Sequence, residues 1–276
     1  METLLPRLAI DLAAPPCDPL TTLFACPVAD VRLEIGFGGG EHLVAEAAAH
    51  PRTGFVGCEP FVNGMAKALA LIEVRGVDNI RLHFGDAADL LAWLPGGSLA
   101  RVDLLYPDPW PKRRHWKRRF VQDASIAALA RVLRPGGEFR FVTDWPAYAE
   151  WTLMRLMRSP LFEWTAKRAD DWRDPWPGFT STRYEAKAKQ AGRVPCYLVF
   201  RRVGSRISRR SGPGSPTRIC AKQTRISRRS GPRFADKDMP NKREKHFATD
   251  ARLPCVTAIL RYIAGVLYWT SHNGRM

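Results

Sequence analysis

Short hydrophobic runs alternate with longer amphipathic segments between Val31 and Val203, an order that predicts strands and helices in strict succession. The apolar runs predict strands at 31–36, 53–58, 79–84, 102–106, 138–142 and 196–201. Helical spacing predicts helices at 40–50, 62–75, 121–133 and 146–157, with a shorter one from just after Asp86 to Trp93. Pro95-Gly96-Gly97 and Arg134-Pro135-Gly136-Gly137 read as turns. A chain written strand, helix, strand buries its apolar faces as an α/β fold: a doubly wound, mostly parallel sheet with helices on both sides. Residues 1–30 are read as an N-terminal extension and 31–203 as the folded domain.

The pattern stops near Val203. Residues 206–213, RISRRSGP, recur at 225–232 within a stretch rich in Ser, Arg, Gly and Pro that lacks periodic apolar positions. Such a composition does not bury a core, so 204–276 is expected to be a disordered tail. It reads either as a basic RNA-binding arm or as non-native coding sequence beyond a natural end, and the second is favoured because the last segment matches neither a tail nor a domain.

Charge adds less than it first promises. The net charge is +16, but residues 204–276 hold 16 Lys and Arg against 4 Asp and Glu, which leaves only +4 for residues 1–203. Local runs therefore matter more than the total. The six cysteines are scattered, with no CxxC pair and no Cys/His cluster, so thiols in a reducing cytoplasm are expected and a metal is not. The first twelve residues carry Glu2, Arg7 and Asp11 and show no leader. The apolar run 255–269 is interrupted by Arg261 and is too short for a membrane span.

Candidate chemistry begins at the first strand end. Leu33-Glu34-Ile35-Gly36-Phe37-Gly38-Gly39-Gly40 closes a strand and opens a helix, with glycines that permit a sharp turn and close approach of a ligand. Glu59 follows the second strand, placed to accept both hydroxyls of a ribose, and Asp86 follows the third, placed to accept from an adenine amine. Singly, such acids are more often helix caps, but three at successive strand ends favour a binding site. The glycine spacing is not that of a phosphate loop, and Glu34 beside it would repel a pyrophosphate. Acidic strand ends suit S-adenosylmethionine, which carries an ammonium and a sulfonium alongside its adenosine.

The fourth strand ends in Tyr106-Pro107-Asp108-Pro109-Trp110-Pro111, where three prolines restrict the direction of Asp108. Eight residues follow, Lys112 to Arg119, of which six are Lys or Arg. The run is expected to grip a polyanion, with His115 and Trp116 available to stack on an unpaired base. A solvated cationic helix start with Trp116 packed inward is the plainer alternative.

Taken in order, LEIGFG at 33–38, Gly57-Cys58-Glu59, Asp86-Ala87, Pro107-Asp108-Pro109-Trp110 with Lys112 and Arg114-His115, Thr143-Asp144-Trp145 and Thr182-Arg183-Tyr184-Glu185 resemble the bacterial tRNA (guanine-N7-)-methyltransferase family. The resemblance covers about 31–203 and implies a Rossmann-like class I methyltransferase fold. It implies a methyl group moved from S-adenosylmethionine to N7 of guanosine 46 in the variable loop of tRNA. It places cofactor binding on Glu34, Gly36, Gly38, Glu59, Asp86 and Asp108, and substrate binding on Lys112, Asp144, Thr182, Arg183, Tyr184 and Glu185. Arg114, His115, Trp116, Lys117, Arg118 and Arg119 would contact RNA. Asp108 and Asp144, as catalytic candidates, would stabilise the purine as it becomes cationic, since N7 offers a lone pair and needs no obligatory base.

Three alternatives stand beside it. An exocyclic-amine methyltransferase uses an Asn/Asp-Pro-Pro-aromatic turn, whose order differs from Pro107-Asp108-Pro109-Trp110. A non-catalytic RNA-binding protein on the same fold is disfavoured by the intact acids. A cytosine-C5 mechanism lacks its cysteine near the fourth strand. Whether the protein is a monomer or a homodimer is left open.

Overall fold

Seven strands form among the residues that the computed structural model describes, 3–204: β1 (Asp30–Ile35), β2 (Thr53–Cys58), β3 (Ile80–His83), β4 (Leu99–Leu105), β5 (Leu133–Thr143), β6 (Phe162–Trp164) and β7 (Cys196–Arg202). They join in one sheet in the order β3-β2-β1-β4-β5-β7-β6. β1 to β5 are parallel, whereas β7 runs antiparallel to both β5 and β6. The chain winds outward from β1 through β2 to β3 and then returns to place β4 on the other side of β1. That reversal opens a crevice beyond the carboxyl ends of β1 and β4, where open α/β sheets bind ligands.

Both faces of the sheet are covered, which is why the central strands read as continuous apolar runs and not as alternating ones. Leu43, Val44, Met65, Ala68 and Ile72 of α2 (Glu41–Ala49) and α3 (Val62–Arg75) pack with Phe55, Ile80 and Leu82. Leu33, Ile35, Val56, Val102 and Phe139 pack with residues of α4 (Ala87–Trp93), α5 (Asp123–Val132) and α6 (Pro146–Arg158). The neighbours Phe55 and Val56 fall into different clusters, as strand alternation requires.

Some elements differ from expectation. Leu133 already pairs with Leu99 and Glu138 with Arg101, so 134–137 bulges out of β5 where a separate turn was predicted, with Gly136 at φ +77°. Short α1 (Leu5–Leu8), α7 (Asp170–Arg173) and α8 (Arg183–Gln190), two 3₁₀ turns and β6 were not anticipated. α8 buries only Glu185 and Ala188, too thin a stripe for a hydrophobic pattern. Its legible signal was the Thr182 cap. The repeat at 206–213 and 225–232, and the rest of the expected tail from 205 onward, lie outside the described residues.

Candidate active site

β1 releases the chain into the glycine loop, where Gly36, Gly38 and Gly40 have φ of +70°, +59° and +82°. These left-handed values disfavour other residues and aim the loop's backbone at the crevice. Glu59, buried one residue past β2, secures the loop: its Oε2 accepts the Gly38 N–H at 2.7 Å and its Oε1 the Phe61 N–H at 3.0 Å. Gly64, in the first turn of α3, was not singled out from sequence. A Cβ there would stand 2.6 Å from the Gly38 carbonyl, so its bareness lets α3 approach the loop.

A cleft of about 630 Å³ opens above this loop. It is lined by Gly36, Gly38, Glu59, Asp86 and Asp108, with Tyr106, Trp110, Arg118, Arg183 and Tyr184 on its other walls. Asp86 also caps α4, its Oδ1 accepting the Ala88 N–H at 2.8 Å. Among the described residues neither Glu59, Asp86 nor Asp108 enters an ion pair, so the cleft is lined by three carboxylates that no cation of the protein neutralises in direct contact.

Glu34 is the exception to the expected set. It is 5% exposed and lies outside the cleft lining, its Oε2 2.7 Å from Nδ1 of buried His42 on α2. Burial opposes protonation of that imidazole, but the Glu34 carboxylate outweighs it and raises the His42 pKa. Arg101 continues the polar layer, reaching Glu46 at 2.5 Å and Asp103 at 2.8 Å. Glu34 therefore braces the root of the loop from behind, because its side chain projects toward α2.

Asp108 sits exposed between Tyr106 and Trp110, whose φ of +49° and +44° are unusual for bulky side chains. Backbone of this kind costs about 1–3 kcal/mol per residue and persists only where surrounding structure holds it. The next residues form a 3₁₀ turn, Arg113–Arg118. Lys112, Arg114, Lys117 and Arg118 are exposed, and the Arg118 guanidinium lies 4.9 Å over Trp110. His115 meets the Trp110 ring edge-on at 5.9 Å.

One expectation for this run needs correction. Arg119 is 2% exposed and faces inward, hydrogen-bonded to two carbonyls and surrounded by aromatic rings, so it is not presented to RNA. Trp116 packs edge-on against Trp151 at 5.5 Å and carries Arg113 and Arg119 against its ring, so protein partners already hold it. Its ring is half-buried, partly covered by these neighbours.

Comparison with known proteins adds to this geometry. A family model described as a putative methyltransferase matches residues 29–197. A tRNA (guanine-N(7)-)-methyltransferase of Rhodopseudomonas palustris is 64% identical over 203 residues, 74% of this chain and 77% of that protein. One of Nitrobacter hamburgensis is 66% identical over 203 residues, 73% of this chain and 79% of that protein. The chain belongs to the tRNA (guanine-N7-)-methyltransferase family. Among solved structures, that of the 16S rRNA methyltransferase KamB aligns with a TM-score of 0.51 at 16% identity, over 69% of this chain and 96% of that one, and shares the class I methyltransferase fold.

The remaining family motifs gather beside the cleft. Thr182 is buried and caps α8, its Oγ1 accepting the Glu185 N–H at 3.1 Å. Arg183 and Tyr184 lie over the glycine loop, where a Cβ on Gly38 would come within 3.2 and 3.3 Å of them. Glu185 is buried, with Oε1 accepting from the Tyr197 hydroxyl at 2.9 Å and paired with Lys189 Nζ at 2.6 Å, while Oε2 has no partner. Burial works against its charge, yet the contacts from Lys189 and Tyr197 help to outweigh it and hold its pKa below the ordinary value. Asp144 is half-buried, does not line the cleft, and its Oδ2 accepts from Arg193 Nε at 2.6 Å.

Sequence reasoning passed over the residue that joins these parts. Tyr106 lines the cleft, and its pKa is raised by burial and by the nearby Tyr197, Glu185 and Asp144 groups. It packs with Leu105, Val142 and Tyr197, and its hydroxyl is buried without a hydrogen-bond partner among the described residues. Its position after β4 was legible; the groups near its hydroxyl, drawn from the turn after β5, from α8 and from β7, were not.

Proposed function

We propose that this protein transfers the methyl group of S-adenosylmethionine to N7 of guanine in tRNA, at guanosine 46 of the variable loop, and acts in the cytoplasm. The observation that carries this reading is the cleft at the switch point, where Glu59, Asp86 and Asp108 enter no ion pair among the described residues and lie beside a left-handed glycine loop. Both Glu59 oxygens keep a second lone pair after accepting a backbone N–H, enough to receive two ribose hydroxyls. Asp86 is placed for the adenine edge, and exposed Asp108 for the charged end of the ligand and the reacting base. When bound, the cofactor supplies an activated methyl group.

The protein's part is then positional and electrostatic. Guanine N7 attacks through its own lone pair, so alignment governs the rate and no side chain needs to remove a proton. Asp108 offsets the positive charge that grows on the purine. Asp144 and Glu185 are assigned to the base edge, with Thr182, Arg183 and Tyr184 forming the wall around it. Lys112, Arg114, Lys117 and Arg118 hold phosphates of the surrounding RNA.

Incubating the full chain with labelled cofactor and unmodified tRNA, followed by nucleoside analysis, tests the reading. 7-Methylguanosine lost on changing guanosine 46 supports it. An N2- or N6-methylated nucleoside would favour an exocyclic-amine enzyme, and RNA binding without product a non-catalytic binder.

A further inference from the structure

Arg119 is a buried cation without a carboxylate partner among the described residues. Three aromatic rings surround its guanidinium carbon, those of Trp116 at 4.8 Å, Tyr148 at 4.9 Å and Trp151 at 5.1 Å. Its Nε donates to the Pro109 carbonyl at 2.9 Å, and its Nη1 to the Ala147 carbonyl at 3.2 Å. Nη2 is buried and has no partner.

These two carbonyls are not arbitrary acceptors. Pro109 adjoins Asp108, and Ala147 lies three residues beyond Asp144, in the first turn of α6. One planar guanidinium thus spans the turns that follow β4 and β5. Arginine suits this task because its donors leave a rigid fork at fixed angles, which a lysine ammonium does not reproduce. Cation–π attraction in a desolvated cage offsets part of the cost of burying the charge, and an apolar side chain would fill the space without linking the turns. The strained Tyr106 and Trp110 flank the same segment and need such an anchor.

We propose that Arg119 is a positioning residue for methyl transfer, clamping the Asp108 turn to the start of α6 and so fixing Asp108 relative to Asp144. The inference rests on the functional reading above. Trp116 belongs to the cationic turn and closes the cage, so that turn and the Asp108 turn share an anchor.

A double-variant cycle on the full chain tests the clamp. Arg119→Met and Asp108→Asn are each expected to lower kcat by about tenfold, and the double variant to be no more than about twofold worse than the poorer single one, because both act through one carboxylate. Arg119→Met and Glu59→Gln should instead multiply their losses in kcat/KM. Multiplied losses for Arg119 with Asp108, or a normal kcat in Arg119→Met, would overturn the proposal. Should Arg119→Met fail to fold, Arg119→Lys takes its place in the same cycle, and full activity of that variant would also refute the clamp. A wild-type protein that forms no 7-methylguanosine would sink the functional reading instead. The cycle is then read on affinity for S-adenosylhomocysteine, with the same non-additivity expected.

Discussion

Glu59 Oε2 accepts the N–H of Gly38 at 2.7 Å, so the acid after β2 and the glycine loop after β1 form one rigid wall of the cleft. Replacing Glu59 by Gln turns one of its acceptors into an amide donor that cannot pair with an N–H. Hydrogen bonds to a charged group are worth about 1.5–3 kcal/mol, so cofactor affinity should fall by roughly ten- to a hundredfold. Calorimetry with S-adenosylhomocysteine measures this, and unchanged affinity would remove Glu59 from the ligand site.

Gly64→Ala should destabilise the protein, although alanine ordinarily favours a helix over glycine. The new Cβ would sit 2.6 Å from the Gly38 carbonyl, and backbone cannot swing aside as a flexible side chain can. A loss of about 1–3 kcal/mol in denaturant unfolding, with weaker cofactor binding, is expected. Stabilisation would mean that α3 does not press on the loop.

His42 gives stability a pH dependence. Despite burial, Glu34 holds its folded pKa above the ordinary 6.5, so the contribution is complete below that value and is lost as pH rises through the folded pKa. Above pH 6.5 the thermal midpoint of the native protein should fall more steeply with pH than that of His42→Gln, which has no imidazole to titrate. Parallel slopes would show that His42 is neutral when folded.

Tyr197 holds one oxygen of Glu185, and the proposed function assigns the other to the N1 and N2 donors of guanine. A tRNA carrying inosine at the target position lacks the 2-amino donor, and native enzyme should prefer guanosine by roughly tenfold or more in kcat/KM. Tyr197→Phe should narrow that preference as Glu185 swings away. Equal losses on both substrates would make Tyr197 a packing residue only.

Replacing Arg114, Lys117 and Arg118 by Ala should weaken tRNA binding and reduce its salt dependence by about 0.7–0.9 in log–log slope for each phosphate no longer neutralised. Arg119→Met, altering a buried cation, should leave that slope alone. If the triple variant keeps the native slope, the RNA backbone lies elsewhere.

The parallel core was legible in advance because each central strand is a short apolar run and each covering helix repeats its apolar residues every three to four positions, patterns set by local geometry. Cleft residues at strand ends were legible for a related reason: in a wound sheet those ends converge, so Gly36, Gly38, Glu59, Asp86 and Asp108 share a region whatever the details of packing. Less was readable where identity depends on orientation. Glu34 and Glu59 are both acids near glycines, yet Glu34 turns to His42 under α2 while Glu59 faces the cleft.

Composition and order thus determined the sheet, its crevice, the acids at its rim and the family motifs. Tertiary structure alone decided that Arg119 leaves its cationic neighbours and enters a cage of Trp116, Tyr148 and Trp151, and that Tyr106 packs with Tyr197. Tyr148, Trp151 and Tyr197 come from segments far along the chain from the residues they meet. Whether a charged side chain meets water, an aromatic face or a distant carbonyl is settled only when its elements pack.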